Sequence, residues 1–231
     1  MFGVNDIIFL VASFFAVVVV LTLHEFSHAY VAYKCGDDTP KFYGRLSFNP
    51  LRHFDIAGLI CFTVVGFGWA KPVPINPNNF KKYRLGLGLT ASAGVIVNYL
   101  SAFLFYPLVC VVLYYCRDIN VVGFEFLYDL TYCLWAYSLS FCVFNLLPLY
   151  PLDGFRLVDA LNRRRGKVYR FLRQNGYYIL LFLIVESFIC DMFVRMGVDI
   201  MDWFNILDWF MAFGTGILGW PISKLWGLVP W

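Results

Sequence analysis

Hydrophobic positions along this chain fall into long unbroken blocks, with no steady alternation and no narrow apolar stripe. Residues 7–33, 85–116, 124–149 and 177–196 each form an apolar run of about 20 residues or more, enough for an α-helix to cross a hydrocarbon core of about 30 Å. They predict four transmembrane helices. Residues 56–70 are apolar for 15 positions but carry Gly58, Gly66 and Gly68 and precede Pro72, Pro74 and Pro77. That length suits a re-entrant or partly buried element, with a fifth crossing as the alternative. Residues 43–48 alternate between apolar and polar and are bounded by Gly and Pro, which predicts a short strand ending in a turn at Asn49 and Pro50. Residues 203–219, in a tail bearing Trp203, Trp209, Trp220, Trp226 and Trp231, predict either one more span or an interfacial helix anchored by indoles. The fold class expected is an all-α polytopic membrane protein: a core of three transmembrane helices plus additional helices, with a small strand and re-entrant element between the first two core helices.

Composition agrees with that pattern and narrows the class. The chain is 61% hydrophobic and only 14% charged, against about 25% charged in a soluble domain. The seven cysteines form no Cys-x-x-Cys pair and sit mostly in apolar runs, so neither a disulfide framework nor a thiolate metal site is expected. No basic patch suited to nucleic acid, internal repeat or low-complexity segment is present. The first run lacks a small-residue cleavage site and a basic flank, so it is not expected to be a removable signal peptide.

The basic residues set an expected orientation. If 56–70 does not cross, eight Lys and Arg residues in 34–84 and seven in 156–173 share one side, while Arg117 and Arg195 lie on the other. Such an imbalance marks the cytoplasmic face and puts the N-terminus outside. It also favours the re-entrant reading of 56–70, because a crossing there would even out the split.

Polar residues inside apolar runs carry the candidate chemistry. His24 and His28 are four apart at the cytoplasmic end of the first run, so on a helix their rings share one face and can hold one metal ion. Glu25, one position past His24, can reach water at that ion as a carboxylate that does not itself ligate. Three ionisable groups within five apolar-run residues cost about 3 kcal/mol or more apiece unless compensated, and a cation compensates them. The second cluster ends the third run: Asn145, Leu146, Leu147, Pro148, Leu149, Tyr150, Pro151, Leu152, Asp153, Gly154, Phe155, Arg156. Pro148 and Pro151 break the helix and free backbone groups at membrane depth. Asp153 there is either a third ligand, leaving a fourth position open for water, or the N-cap of a short following helix.

With both clusters in hand, the chain resembles the site-2 protease family of intramembrane zinc metalloproteases, in its short bacterial-type branch. The resemblance rests on His24-Glu25-Phe26-Ser27-His28 and on Asn145 to Pro148 with Leu152-Asp153-Gly154. Between them, Gly44-Arg45-Leu46, Asn49-Pro50-Leu51 and Gly68-Trp69-Ala70-Lys71-Pro72-Val73-Pro74 also match. It implies His24, His28 and Asp153 as ligands of one Zn2+ per chain and Glu25 as the catalytic base. A catalytic core over 1–165, with 34–84 as its strand and re-entrant region, is then followed by C-terminal helices over 166–231. The chain departs from the family at Ala93-Gly94-Val95-Ile96-Val97-Asn98, where Pro often follows the Gly, and at Tyr150, often a small residue or Pro.

The expected activity is zinc-dependent cleavage of a locally unwound transmembrane segment. Substrates would be single-span membrane proteins within the lipid bilayer of a bacterial cytoplasmic membrane, with the active site toward the cytoplasm. Asn145 is expected to hold substrate backbone and the 43–48 strand to pair with it. His53 is expected either near the ligands, as an oxyanion or supporting group, or simply bonded to a neighbouring carbonyl. A membrane metal-ion transporter using His24, His28 and Asp153 as a transit site is the competing function.

Overall fold

A computed structural model describes residues 3–65, 70–116, 118 and 120–229 of the chain. Gly66, Gly68 and Trp69 of the re-entrant and motif readings, Arg117 of the charge count and Trp231 of the tail lie outside them. Among the described residues there are eight α-helices: α1 Val4–Lys34, α2 Thr39–Phe42, α3 Ile56–Val65, α4 Tyr83–Tyr115, α5 Val121–Asn145, α6 Asp153–Leu161, α7 Lys167–Arg195 and α8 Ile206–Trp226. Short 3-10 turns at Pro50–Arg52, Pro77–Asn79 and Asp199–Phe204 complete the order.

By length and composition, α1, α4 and α7 are apolar enough to cross a membrane. The third predicted span corresponds to the 25-residue α5, which is not among those three and carries Glu125 and Asp129. The fold is nonetheless built on α1, α4 and α5, which pack on one another, with α6 against α4 and α8 against α4 and α5. Small residues permit the close approach. Ala12, Ala16, Val20, His24 and His28 recur every four residues along the buried face of α1, and Ala91, Ala93, Gly94 and Ala102 do the same service on α4. The outward faces are apolar too: Phe9, Phe15 and Val19 on α1, Ile96, Leu100 and Leu104 on α4, and Phe182, Val185 and Phe188 on α7 are all exposed. Such faces suit lipid and would be a liability in water.

Between α1 and α4 the structure corrects the expected strand. Residues 43–48 form no strand; α2 ends at Phe42, Gly44 turns the chain at φ 66°, and the following stretch is bend and loop. The alternation that suggested a strand extends over only six residues, and a strand needs a partner to bond. Here Arg45 points inward, 5% exposed, while its neighbours remain in loop. The β-pairing found among the described residues is instead an isolated antiparallel bridge between Phe54 and Ala70, flanked by Lys71 N–H donating to His53 O at 2.9 Å. Helix α3 has 10 residues and rises about 15 Å, half of a ~30 Å core. Asp37, fully buried past the end of α1, draws this region together by accepting from Asn76 N–H (2.7 Å), Asn79 Nδ2 (2.8 Å), and Thr39 N–H and Oγ1. Burial pushes its carboxyl up, but those four donors hold it below the usual carboxylate range.

Candidate metal centre

Helix α1 delivers both imidazoles to one point. The rings of His24 and His28 meet edge to face with centroids 4.6 Å apart, as a spacing of four on a helix dictates. The third group arrives from the other end of the core. After α5 ends at Asn145, Leu147 N–H and Leu152 N–H close tight turns onto Phe144 O and Leu149 O, and the chain re-enters a helix at Asp153. Asp153 therefore sits in the first turn of α6, where the positive end of the helix favours a carboxylate. Leu152 is the N-cap and makes no side-chain cap bond, so the capping reading of Asp153 does not hold.

Asp153 Oδ2 lies 2.9 Å from His28 Nε2 and 3.3 Å from His24 Nε2, and the two Nε2 atoms are 3.1 Å apart. Ligands held about 2.0–2.1 Å from one tetrahedral ion stand roughly 3.3 Å from each other, so this triangle has the dimensions of one face of a zinc coordination tetrahedron. Each residue is at most 6% exposed. Burial pushes the Asp153 carboxyl up, yet His28 and His24 beside it hold it well below the usual carboxylate range. Two nitrogens and one anionic oxygen suit zinc, and three protein ligands leave the open position a catalytic site requires.

Helix α4 supports the triangle from behind with three residues spaced by four. The Thr90 carbonyl accepts from His28 Nδ1 at 2.7 Å, and Asn98, fully buried, places its side-chain amide 3.0 Å from His24 Nδ1. Between them Gly94 leaves room for both rings: a Cβ there would come within 2.4 Å of His24 Cε1 and 2.5 Å of His28 Nε2. Spacing along 90, 94 and 98 is the signal that could have found these residues. In the sequence Gly94 and Asn98 stand out only within the stretch that departs from the family pattern.

Glu25 is half-buried beside the triangle and accepts from Val73 N–H through Oε2 at 3.2 Å. The segment that offers this amide is fixed by Arg45, which donates to the carbonyls of Arg52, Lys71 (3.1 Å) and Pro72 (3.4 Å). Burial lowers the Arg45 pKa and nearby Glu25 partly opposes it, while the guanidinium stays charged. A cavity of about 120 Å³ opens on these groups, lined by His24, Glu25, His28, Val73, Asn145 and Asp153 among others. A larger cleft of about 430 Å³ shares His24, Glu25 and Asn145 and continues between Phe141 and Phe144 of α5 and Tyr177, Leu180, Leu181 and Ile184 of α7.

Asn145 thus borders both cavities, though its Nδ2 is donated to Phe141 O one turn back at 3.0 Å. Arg156 reaches Asp153 Oδ1 at 3.7 Å. His53 is fully buried but is not among the residues lining either cavity; its Nε2–H goes to Ser47 O at 2.7 Å, which is the carbonyl-bonded alternative. Asp55 accepts from Gly58 N–H at the start of α3.

The chain is similar to the zinc metalloprotease YwhC of Bacillus subtilis, 40% identical over 169 residues that make up 73% of this chain and 76% of the relative. It is also similar to the zinc metalloprotease MJ0392 of Methanocaldococcus jannaschii, 26% identical over 171 residues, which are 74% of this chain and 39% of that one. No family model and no solved structure matches.

Proposed function

This chain belongs to the zinc metalloprotease family, and from that premise we propose that it is an intramembrane endopeptidase of the site-2 protease kind, cutting a locally unwound transmembrane segment of a single-span substrate. The observation that carries the reading is the buried triangle of His24 Nε2, His28 Nε2 and Asp153 Oδ2 at the end of a membrane-length helix, with Glu25 opening onto the same cavity. One Zn2+ bound there would polarise the scissile carbonyl and bring the pKa of attacking water toward about 7.

The chain's own groups supply the rest. Glu25 takes the proton from the attacking water and passes it to the leaving amine nitrogen. Val73 N–H holds one of its carboxylate oxygens and so aims the other. Substrate enters by the larger cleft, whose walls are apolar side chains of α5 and α7, and reaches the ligands past Asn145. Asn145 exchanges its bond to Phe141 O for one to the unwound substrate backbone. A segment freed of its helix must find such partners in the protein, because lipid offers none. The loop stretch around Val73, not 43–48, offers the backbone N–H that meets Glu25. We place the catalytic core in residues 1–165 and regard 166–231 as accessory helices, of which α7 contributes one wall of the cleft. The excess of Lys and Arg in 34–84 and 156–173 supports a site on the cytoplasmic side of a bacterial membrane.

The test is a panel of single-span membrane proteins incubated with the purified chain in lipid. Wild type should cut at least one, a zinc chelator should stop it, and Glu25→Gln should retain zinc while losing activity by 10²-fold or more. A Glu25→Gln protein that cuts as well as wild type would overturn the reading. So would a chain that moves metal ions across vesicles with undiminished flux after that substitution and cuts nothing before it.

A further inference from the structure

A third cavity, of about 270 Å³, lies where the end of α1 meets the start of α4, lined by Lys34, Cys35, Lys81, Lys82, Leu85 and Gly86. Three of these six residues are lysines and none is acidic. Among the described residues no carboxylate forms an ion pair with any of the three. Lys34 stands instead over the ring of Tyr30, its Nζ 5.4 Å from the centroid. Three ammonium groups around one small space repel one another, and an anion bound among them relieves that repulsion.

The backbone that carries these lysines is fixed on both sides. Lys81 N–H donates to Cys35 O at 3.0 Å, which ties the approach to α4 onto the end of α1. Phe80, just before it, is 6% exposed and packs with Ala32, Leu87 and Ala160. It sits so close to α4 that a Cβ on Gly86 would come within 2.5 Å of its ring. Asn79 is held in turn by the buried Asp37. Residues 79–86 therefore present Lys81 and Lys82 to the same space as Lys34. The first turn of α4 has no side-chain cap and no acidic residue, so the positive end of that helix adds to the field of the lysines.

Position in the membrane decides between a dissolved anion and a lipid. Helix α1 rises about 46 Å, more than a ~30 Å hydrocarbon core, so its last turns and the facing start of α4 stand at headgroup level. Leu85, which lines the cavity, begins an outward stripe on α4 that continues through Leu89, Ile96 and Leu100, all exposed. One leaflet of about 15 Å spans about 10 residues of helix, so an acyl chain descending from the cavity lies along Leu85 and Leu89 and ends near Ile96. We propose that this cavity binds the phosphate of an anionic phospholipid among Lys34, Lys81 and Lys82, with an acyl chain laid along the Leu85–Ile96 stripe. A zwitterionic headgroup brings its own cation into the same space and gains less, and a soluble phosphate gains nothing from the stripe.

Native mass spectrometry of the purified full chain, titrated with phosphatidylglycerol and phosphatidylcholine of identical acyl chains, tests this. Phosphatidylglycerol should bind about 10- to 100-fold more tightly, because each lysine at a headgroup strengthens binding several-fold. Combining Lys34→Gln, Lys81→Gln and Lys82→Gln should abolish that preference, while Arg at the same three positions should keep it within about threefold. Removing equal charge elsewhere, by Arg163→Gln, Arg164→Gln and Arg165→Gln together, should leave the preference unchanged. Inorganic phosphate in millimolar excess should not displace the lipid. Unchanged helical content by circular dichroism separates lost binding from lost fold, and the wild-type comparison of the two lipids needs no variant. Equal affinity of the wild type for both lipids overturns the proposal. So does an equal loss in the Arg163, Arg164 and Arg165 variant, which would reduce the effect to net charge, or displacement by inorganic phosphate, which would make the ligand a soluble anion.

Discussion

Gly94 shows at the residue scale how little tolerance the centre has. The α4 backbone passes so close to both imidazoles that one methyl group would overlap His24 and His28 ring atoms by about 1 Å. The neighbours cannot yield, since each ring is already tied to α4 through Thr90 or Asn98. Gly94→Ala should therefore lower zinc affinity at least tenfold while leaving the helical content of the protein in micelles unchanged, measured by chelator titration and circular dichroism. Unaltered affinity would mean that the rings do not sit where α4 constrains them. His24 and His28 stand out in the sequence because an ionisable group in an apolar run, at helical spacing, needs a reason, while Asp153 stands out by the proline-broken stretch that carries it. Gly94 and Asn98 violate nothing on their own, and their meaning comes only from facing α1 across a helix interface.

At the scale of the element, the strand expected at 43–48 failed because alternation is a local signal and strand pairing is not. The same six residues were still rightly singled out, since Arg45 among them is buried and bonds three carbonyls of the 52 and 71–72 segments. Its consequence is carried one peptide further, to Val73 N–H and so to Glu25. Arg45→Met keeps the apolar stem and removes the donors, freeing this segment to move. A shift of about 1 Å in a reacting group can cost 10²-fold, so kcat/KM toward a cleaved substrate should fall 10- to 100-fold with zinc content unchanged. Equal activity would show that Val73 stays against Glu25 without Arg45. The long helices were legible at this scale, because runs of about 20 apolar residues leave few alternatives in lipid. The loops were not, because side-chain bonds to backbone carbonyls shape them and leave no periodicity.

Across the whole molecule, α1, α4 and α5 alternate direction between connections that carry very different charge. The stretches 34–84 and 156–173, at the ends of α1 and α5 where the chain leaves the core, hold fifteen basic residues, and the α4–α5 connection holds only Arg117 and Asp118 as charged residues. In cells, the side with the excess of Lys and Arg stays in the cytoplasm. His24 and His28 lie within three turns of the C-terminal end of α1, and Asp153 follows the corresponding end of α5, so one orientation places all three ligands at the same face. Intact cells exposed to a membrane-impermeant maleimide should label Asp118→Cys above the wild-type background and leave Asn162→Cys unlabelled until the membrane is opened. The reverse pattern would put the zinc ligands at the outer face, where the substrate segment released by cutting would leave the cell. With the expected pattern, the proposed cut at the level of His24, His28 and Asp153 would free the substrate's cytoplasmic portion from its anchor.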